Sequence, residues 1–208
     1  MNFPARIPNW IAFFYPSLVW RKSTLEKTLY LTFDDGPHPR ITPLVLDMLR
    51  KYNAKATFFC IGDRVQRYPG IVQNILDDGH AIGNHTQHHL NGWSTPTDTY
   101  VHNVEQAAQL IPSKLFRPPY GRIRRSQINQ LVEKGFKIIM WSVLSADYDP
   151  KLNKEKCASR VLNHIDNGNI FLFHDSEKAE ESMIFGLDRL LEKASSEGFL
   201  FKKIDEPV

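Results

Sequence analysis

The chain has 208 residues, of which 42% are apolar and 24% charged, and a formal charge of +3. That length supports one domain with a full hydrophobic core, and the balance is that of a globular protein, not a disordered or fibrous one. No lysine/arginine block stands out beyond Arg122, Arg124 and Arg125, so charge makes no case for a nucleic-acid partner.

The chain opens on an aromatic-rich stretch with Trp10, Phe13, Phe14, Tyr15 and Trp20, interrupted by Pro8 and Pro16. It lacks a basic start and an A-x-A-like cleavage site, and it falls short of the roughly 20 apolar residues a membrane span needs. The expectation is an unexported, cytoplasmic protein without a membrane span. Residues 1–27 are expected to form a strap packed over a domain of residues 28–208.

From Thr28 onward, short apolar or β-branched runs alternate with helix-period segments. Strands are predicted over 28–33, 56–61, 80–84, 114–117, 137–142, 169–173 and 199–203, and helices over 42–52, 69–78, 97–110, 126–134, 154–165 and 181–196. Thr42-Pro43 reads as an N-cap followed by a first-turn proline, and Gly79, Gly135 and Gly198 read as helix stops. Strict alternation implies parallel strands with right-handed crossovers. About seven such units fit a single-domain α/β fold, an irregular (β/α) barrel, better than an open sheet. Cys60 and Cys157 form no C-x-x-C pair, and Cys60 closes an apolar run, as a buried thiol does.

The chemistry-bearing residues fall at the ends of predicted strands, where barrel sites are built. Asp34-Asp35-Gly36-Pro37 ends the first strand. As a bare motif it is a turn, but adjacent carboxylates point in different directions, so one can bind a metal while the other stays ionised as a base. His85 and His89, four apart, would share one face of a helical turn, with His88 as an alternative register. One Asp with two His is the ligand set of an open zinc site that leaves room for water. In Arg117-Pro118-Pro119-Tyr120, Tyr120 carries the first free backbone N–H after two prolines, which suits an oxyanion donor, and Arg117 would be a fixed cation near the carboxylates. His174 ends an apolar strand as a general-acid candidate, with Asp147 a possible partner for its ring.

Taken in order, these segments resemble the polysaccharide deacetylase family, the carbohydrate esterases of the NodB-homology type. The family's T-F-D-D-G is residues 32–36, its H-[ST]-x-x-H is His85, Thr86 and His89, and its R-x-P-[YF] is Arg117, Pro119 and Tyr120. Its D-W pair is Asp147-Tyr148 and its L-x-H is Leu172 and His174. The resemblance, which runs from about Thr28 to Lys203, implies the family's irregular (β/α) barrel. It implies a divalent metal, most often zinc, held by Asp35, His85 and His89. Asp34 would be the base tuned by Arg117, His174 the acid tuned by Asp147, and the Tyr120 N–H an oxyanion donor. Leu172, Tyr148 and Pro119 would face the substrate, with Trp93 a candidate for flanking sugars. The implied activity is N-deacetylation of a GlcNAc-containing polymer or oligomer of the chitin or peptidoglycan type. Alternatives are an amidase or deformylase on a small or lipid-linked sugar, an O-acetyl esterase on xylan, and a silent carbohydrate-binding domain. Two positions depart from the family: Leu144 stands where an Asp is common, and Tyr148 replaces Trp.

Overall fold

The structure, a computed structural model, describes residues 4–205, so the first three residues of the strap and residues 206–208 lie outside it. Nine strands occur among the described residues: β1 (Leu18–Val19), β2 (Thr28–Asp34), β3 (Ala56–Cys60), β4 (Ala81–Asn84), β5 (Leu115–Phe116), β6 (Lys137–Ile139), β7 (Val143–Leu144), β8 (Ile170–His174) and β9 (Leu200–Phe201). Eight helices accompany them: α1 (Asn9–Phe14), α2 (Ile41–Lys51), α3 (Gly62–Arg67), α4 (Pro69–Asp77), α5 (Thr97–Ala108), α6 (Arg125–Glu133), α7 (Lys154–Leu162) and α8 (Glu180–Ser196). The ladder runs β1-β6-β5-β4-β3-β2-β8-β7, all parallel, with β9 added alongside β2. The chain forms the expected irregular (β/α) barrel in a single domain. No described helix is long and apolar enough to cross a membrane.

Every residue of β2 and β3 is buried, because a parallel strand covered on both faces has no solvent side. Alternation still sorts its side chains. Leu29, Leu31 and Phe33 point outward and pack with Phe58, Phe171 and Phe173 beneath the helices, and the Phe33 ring stacks at 5.0 Å on Phe58. Tyr30, Phe59, Leu115, Ile139 and Ile170 fill the interior. Continuing the same two-residue period places Thr32 and Asp34, Arg117, and Leu172 and His174 on the interior side, one or two layers higher. Gly83 fits this interior because a Cβ there would lie 2.6 Å from the Phe59 ring.

The strand predicted over 137–142 stops at Ile139, and a second strand, β7, begins just past the predicted end. β6 and β7 both run with the sheet and are only three residues apart, too few for a reversal, so they are halves of one bent strand. The first half pairs with β5 and the second with β8, which draws the ends of the sheet together. The N-terminal segment covers this seam. β1 lies on β6, Arg6 bridges Val143, Met140 N–H donates to Val19 O and Ile7 N–H to Ser142 O. Otherwise-exposed strand edges are thereby paired. Of the five strap aromatics, Trp20 packs into the core, whereas Trp10, Phe13, Phe14 and Tyr15 stand exposed. The packing expected of those four does not occur.

Gly79, Gly135 and Gly198 all take left-handed backbone after their helices, as expected of helix stops. Thr42, by contrast, is not an N-cap. α2 starts at Ile41, and the Thr42 hydroxyl accepts from His38 N–H and donates to Asp175. Two helices, α1 and α3, went unforeseen because six residues are too few to display a period. Cys60 and Cys157 are both free and buried.

Arg117 ties the seam to the interior. It is fully buried, and its Nε and Nη2 donate to Ile139 O (3.0 Å) and Met140 O (2.8 Å) at the bend, while Nη1 donates to Thr32 Oγ1 (2.7 Å) and Asp34 Oδ1 (2.8 Å). Removing one partner of a buried pair strands the other charge and typically costs about 3–5 kcal/mol. Arg117→Met should therefore lose about that much in urea unfolding; a loss below about 1 kcal/mol would contradict this role.

Candidate active site

At the C-terminal rim, β2 and β8 are in register with Asp34 opposite His174. Asp35 follows in left-handed backbone, φ 79°, which turns its carboxylate away from that of Asp34. Asp35 Oδ1 lies 3.1 Å from His89 Nε2 and 3.8 Å from His85 Nε2. One donor atom from each of the three lies within 4.8 Å of the others, a spacing that could hold a metal ion.

No helix brings the two imidazoles together. Residues 85–91 form a loop with left-handed backbone at Thr86 (φ 67°) and His89 (φ 55°). Its backbone is held by side-chain amides: Asn84 Oδ1 accepts from Thr86 N–H, and Asn103 Oδ1 accepts from Gln87 and His88 N–H. The rings end 5.1 Å apart between centroids. His88 leaves the site, pairing with Asp63 at 2.8 Å.

The donors suit a divalent cation. His85 Nδ1 lies 2.8 Å from Arg117 O; a carbonyl only accepts, so Nδ1 carries the proton and the Nε2 lone pair faces Asp35. Burial, against the pull of Asp34 and Asp35, lowers the His85 pKa to about 4, so the ring is neutral and ready to ligate. His89 Nδ1 meets Tyr120 Oη at 3.1 Å, leaving its Nε2 toward Asp35. Burial raises the Asp35 pKa, but the His89 hydrogen bond and three nearby imidazoles outweigh it and hold the group well below the usual range.

Asp34 Oδ1 is taken by Arg117, while Oδ2 lies 3.8 Å from His85 Nε2. His174 Nδ1 donates to Asp147 Oδ1 and its backbone N–H to Asp147 Oδ2, both at 2.8 Å. With Nδ1 so engaged, Nε2 is the free end of the ring. Burial lowers the His174 pKa, yet Asp147, then Asp35 and Asp34, raise it to about 9. The ring is therefore an imidazolium at neutral pH. The Tyr148 ring meets it edge-on at 4.9 Å.

Asp34, Asp35, His85, His89, Tyr120, Tyr148, Leu172 and His174 all line one cleft of about 270 Å³. Arg117 and Asp147 stand behind it. Pro119 is buried outside the lining, and Trp93 lies apart, exposed, with Arg122 5.1 Å from its ring. Tyr120 is left-handed (φ 61°), and Gly121 (φ 64°) follows, where a Cβ would lie 2.5 Å from the Trp141 ring. Trp141, Leu144, Gly121, Arg122 and Lys178 also line the cleft. Sequence reasoning marked Leu144 as a departure from the family pattern but gave the other four no place there; Trp141 sits at the strand bend, and Lys178 lies in a loop with no motif of its own.

Fold and rim together define an α/β barrel with a candidate metal centre flanked by one carboxylate and one imidazolium. The family profile described as Polysaccharide deacetylase matches residues 21–139, and the chain belongs to the polysaccharide deacetylase family. It is 33% identical over 198 residues to a peptidoglycan-N-acetylglucosamine deacetylase of Bacillus cereus, covering 91% of this chain and 92% of that one. It is 33% identical over 168 residues to a chitooligosaccharide deacetylase of Azorhizobium caulinodans, covering 77% and 79%. Among solved structures, the Bc1960 peptidoglycan N-acetylglucosamine deacetylase matches with a TM-score of 0.84 at 30% identity, covering 94% of this chain and 95% of that one.

Zinc titrated calorimetrically into the wild type should bind at one site. His85→Ala and His89→Ala should each weaken it by more than roughly tenfold, whereas His88→Ala should leave it unchanged. NMR titration of metal-free protein should find His174 deprotonating near pH 9, and Asp147→Asn should bring that value down. The folded-state value lies above the ordinary 6.5, so the imidazolium's contribution to stability is complete below pH 6.5 and is lost as pH rises to about 9. Asp147→Asn should flatten the pH dependence of unfolding across that window; an unaltered His174 titration would refute the pairing.

Proposed function

We propose that this protein is a hydrolase that removes N-acetyl groups from GlcNAc-containing glycans, with Asp35, His85 and His89 holding a divalent cation, zinc by the donor set. The observation that carries the reading is the in-register pairing of Asp34 with His174 in the same cleft as those three residues. A bound cation would lower the pKa of water and polarise an acyl carbonyl.

The remaining chemistry belongs to the side chains. Asp34 takes a proton from the attacking water through Oδ2, because Oδ1 is committed to Arg117. Arg117 keeps that carboxylate fixed and charged. As the tetrahedral species forms on the acetyl carbon, the Tyr120 N–H donates to its oxyanion. His174, held by Asp147 with Nε2 free, gives its proton to the departing amine nitrogen. Leu172 and Leu144, paired across β7 and β8, supply an apolar wall for the acetyl methyl group.

The reading is supported by a relative of near-full coverage described as a peptidoglycan-N-acetylglucosamine deacetylase, and by one matched over about three quarters of each chain described as a chitooligosaccharide deacetylase. Its test is acetate release from N-acetylglucosamine oligomers and from peptidoglycan by zinc-loaded protein. Asp34→Asn should lower turnover by roughly 10²–10⁴-fold, and chelation should abolish it until zinc is restored. Parental turnover by Asp34→Asn would overturn the assignment of the base. Release from acetylated xylan or formylated sugars alone would move the substrate class. Zinc binding with no turnover on any substrate would make the domain a binding module.

A further inference from the structure

A second cavity, of about 400 Å³, opens on the other side of Asp35 and is lined by His38, Arg64, Arg67, Tyr68, Ser176 and Lys178, among others. It shares only Asp35 and Lys178 with the cleft described above. The acid, the oxyanion loop and the apolar wall all lie on the cleft side, so the reaction as derived leaves this cavity unused.

Its lining is short of anions. Arg64 Nη1 and Ser176 Oγ are buried without a hydrogen-bond partner among the described residues, a state that normally costs free energy and calls for a ligand or water. No carboxylate lies within 4 Å of Arg64 or Arg67 among the described ion pairs, although Asp63 and Asp175 are close enough to feel their charge. Lys178 Nζ reaches Asp35 Oδ2 at 3.7 Å. Of the two acids in the lining, Glu177 faces His38 at 3.4 Å, and Asp35 belongs to the metal-ligand set. Two arginine side chains lining one hollow match a carboxylate or a phosphate, which arginine binds through paired N–H donors.

We infer that this cavity is a subsite for an anionic group, carboxylate or phosphate, carried by the glycan substrate beside the sugar that is deacetylated. The assignment rests on the deacetylase reading for its substrate, but its binding half can be measured without turnover.

Wild type, Arg64→Gln, Arg67→Gln and the double variant are compared, all zinc-loaded, on three glycans of equal length. One is a neutral N-acetylglucosamine oligomer, one bears carboxylate substituents and one bears phosphate esters. The expected result is a rise in KM of roughly tenfold or more on a charged glycan, with kcat and the neutral oligomer unchanged. The charged glycan that responds identifies the anion. Equal changes on all three glycans, or none on any, overturn the proposal. Arg67 is exposed, so its single variant keeps the test open should Arg64→Gln fail to fold. Calorimetric titration with inorganic phosphate stands apart from activity: affinity present in the wild type and lost in the double variant supports the subsite even if no glycan is deacetylated. Identical phosphate binding by both proteins, or none by either, overturns it.

Discussion

A single arginine sits where the barrel seam, Asp34 and His85 meet. Arg117 has no solvent contact, so its charge must be compensated inside the fold. Three of its nitrogens reach four oxygens in two strands or their ends, its Cζ lies 4.1 Å from the Phe59 ring centroid, and its own carbonyl fixes the His85 tautomer. A lysine offers one point charge and no fork, and could not serve both bend carbonyls and the carboxylate together. The consequence is mechanical: the bend between β6 and β7, the orientation of Asp34 and the free lone pair of His85 are held by one residue, the first two through its side chain and the last through its carbonyl.

That constraint explains how two neighbouring carboxylates come to differ. Asp34 is still in β2, inside the two-residue alternation, and so faces the interior and Arg117. Asp35 has left the strand in left-handed backbone and faces the imidazoles. Side-chain chemistry is identical at the two positions; backbone conformation and the nearest cation separate them. The same division recurs around the rim. His85, His89 and His174 each engage Nδ1, with Arg117 O, Tyr120 Oη and Asp147, which leaves each Nε2 as the free end of its ring.

Much of this could be read from the residues because strand alternation is a local rule. Once 28–33 and 169–173 are recognised as buried strands, Asp34 and His174 must emerge at their ends, and the Gly79, Gly135 and Gly198 stops follow from backbone preference alone. What could not be read depends on distant partners. The i, i+4 spacing of His85 and His89 suggested a helical turn, yet the loop is shaped by amides of Asn84 and Asn103, the latter on α5. The break in the strand over 137–142 is imposed by Arg117 and by the N-terminal segment, neither of which is near in sequence. Thr42 has the chemistry of a cap, but the buried Asp175 carboxylate claims its hydroxyl.

The two departures from the family pattern fall on the cleft wall, not on Asp34 or His174. Leu144 sits across from Leu172 in the β7–β8 register and joins it, with Tyr148 and Trp141 nearby, in a small apolar cluster. An aspartate at Leu144 would add an anion to a lining whose described carboxylates are Asp34 and Asp35. It would also give the His174 imidazolium a further negative neighbour beside Asp147. With Leu144 in place, His174 depends on Asp147 for its tautomer, and the wall facing an acyl methyl group is hydrocarbon. Tyr148 keeps an aromatic edge against His174 at 4.9 Å and adds a hydroxyl that tryptophan lacks. Both changes therefore alter the polarity and shape of the cleft wall, while Asp34 keeps Arg117 and His174 keeps Asp147.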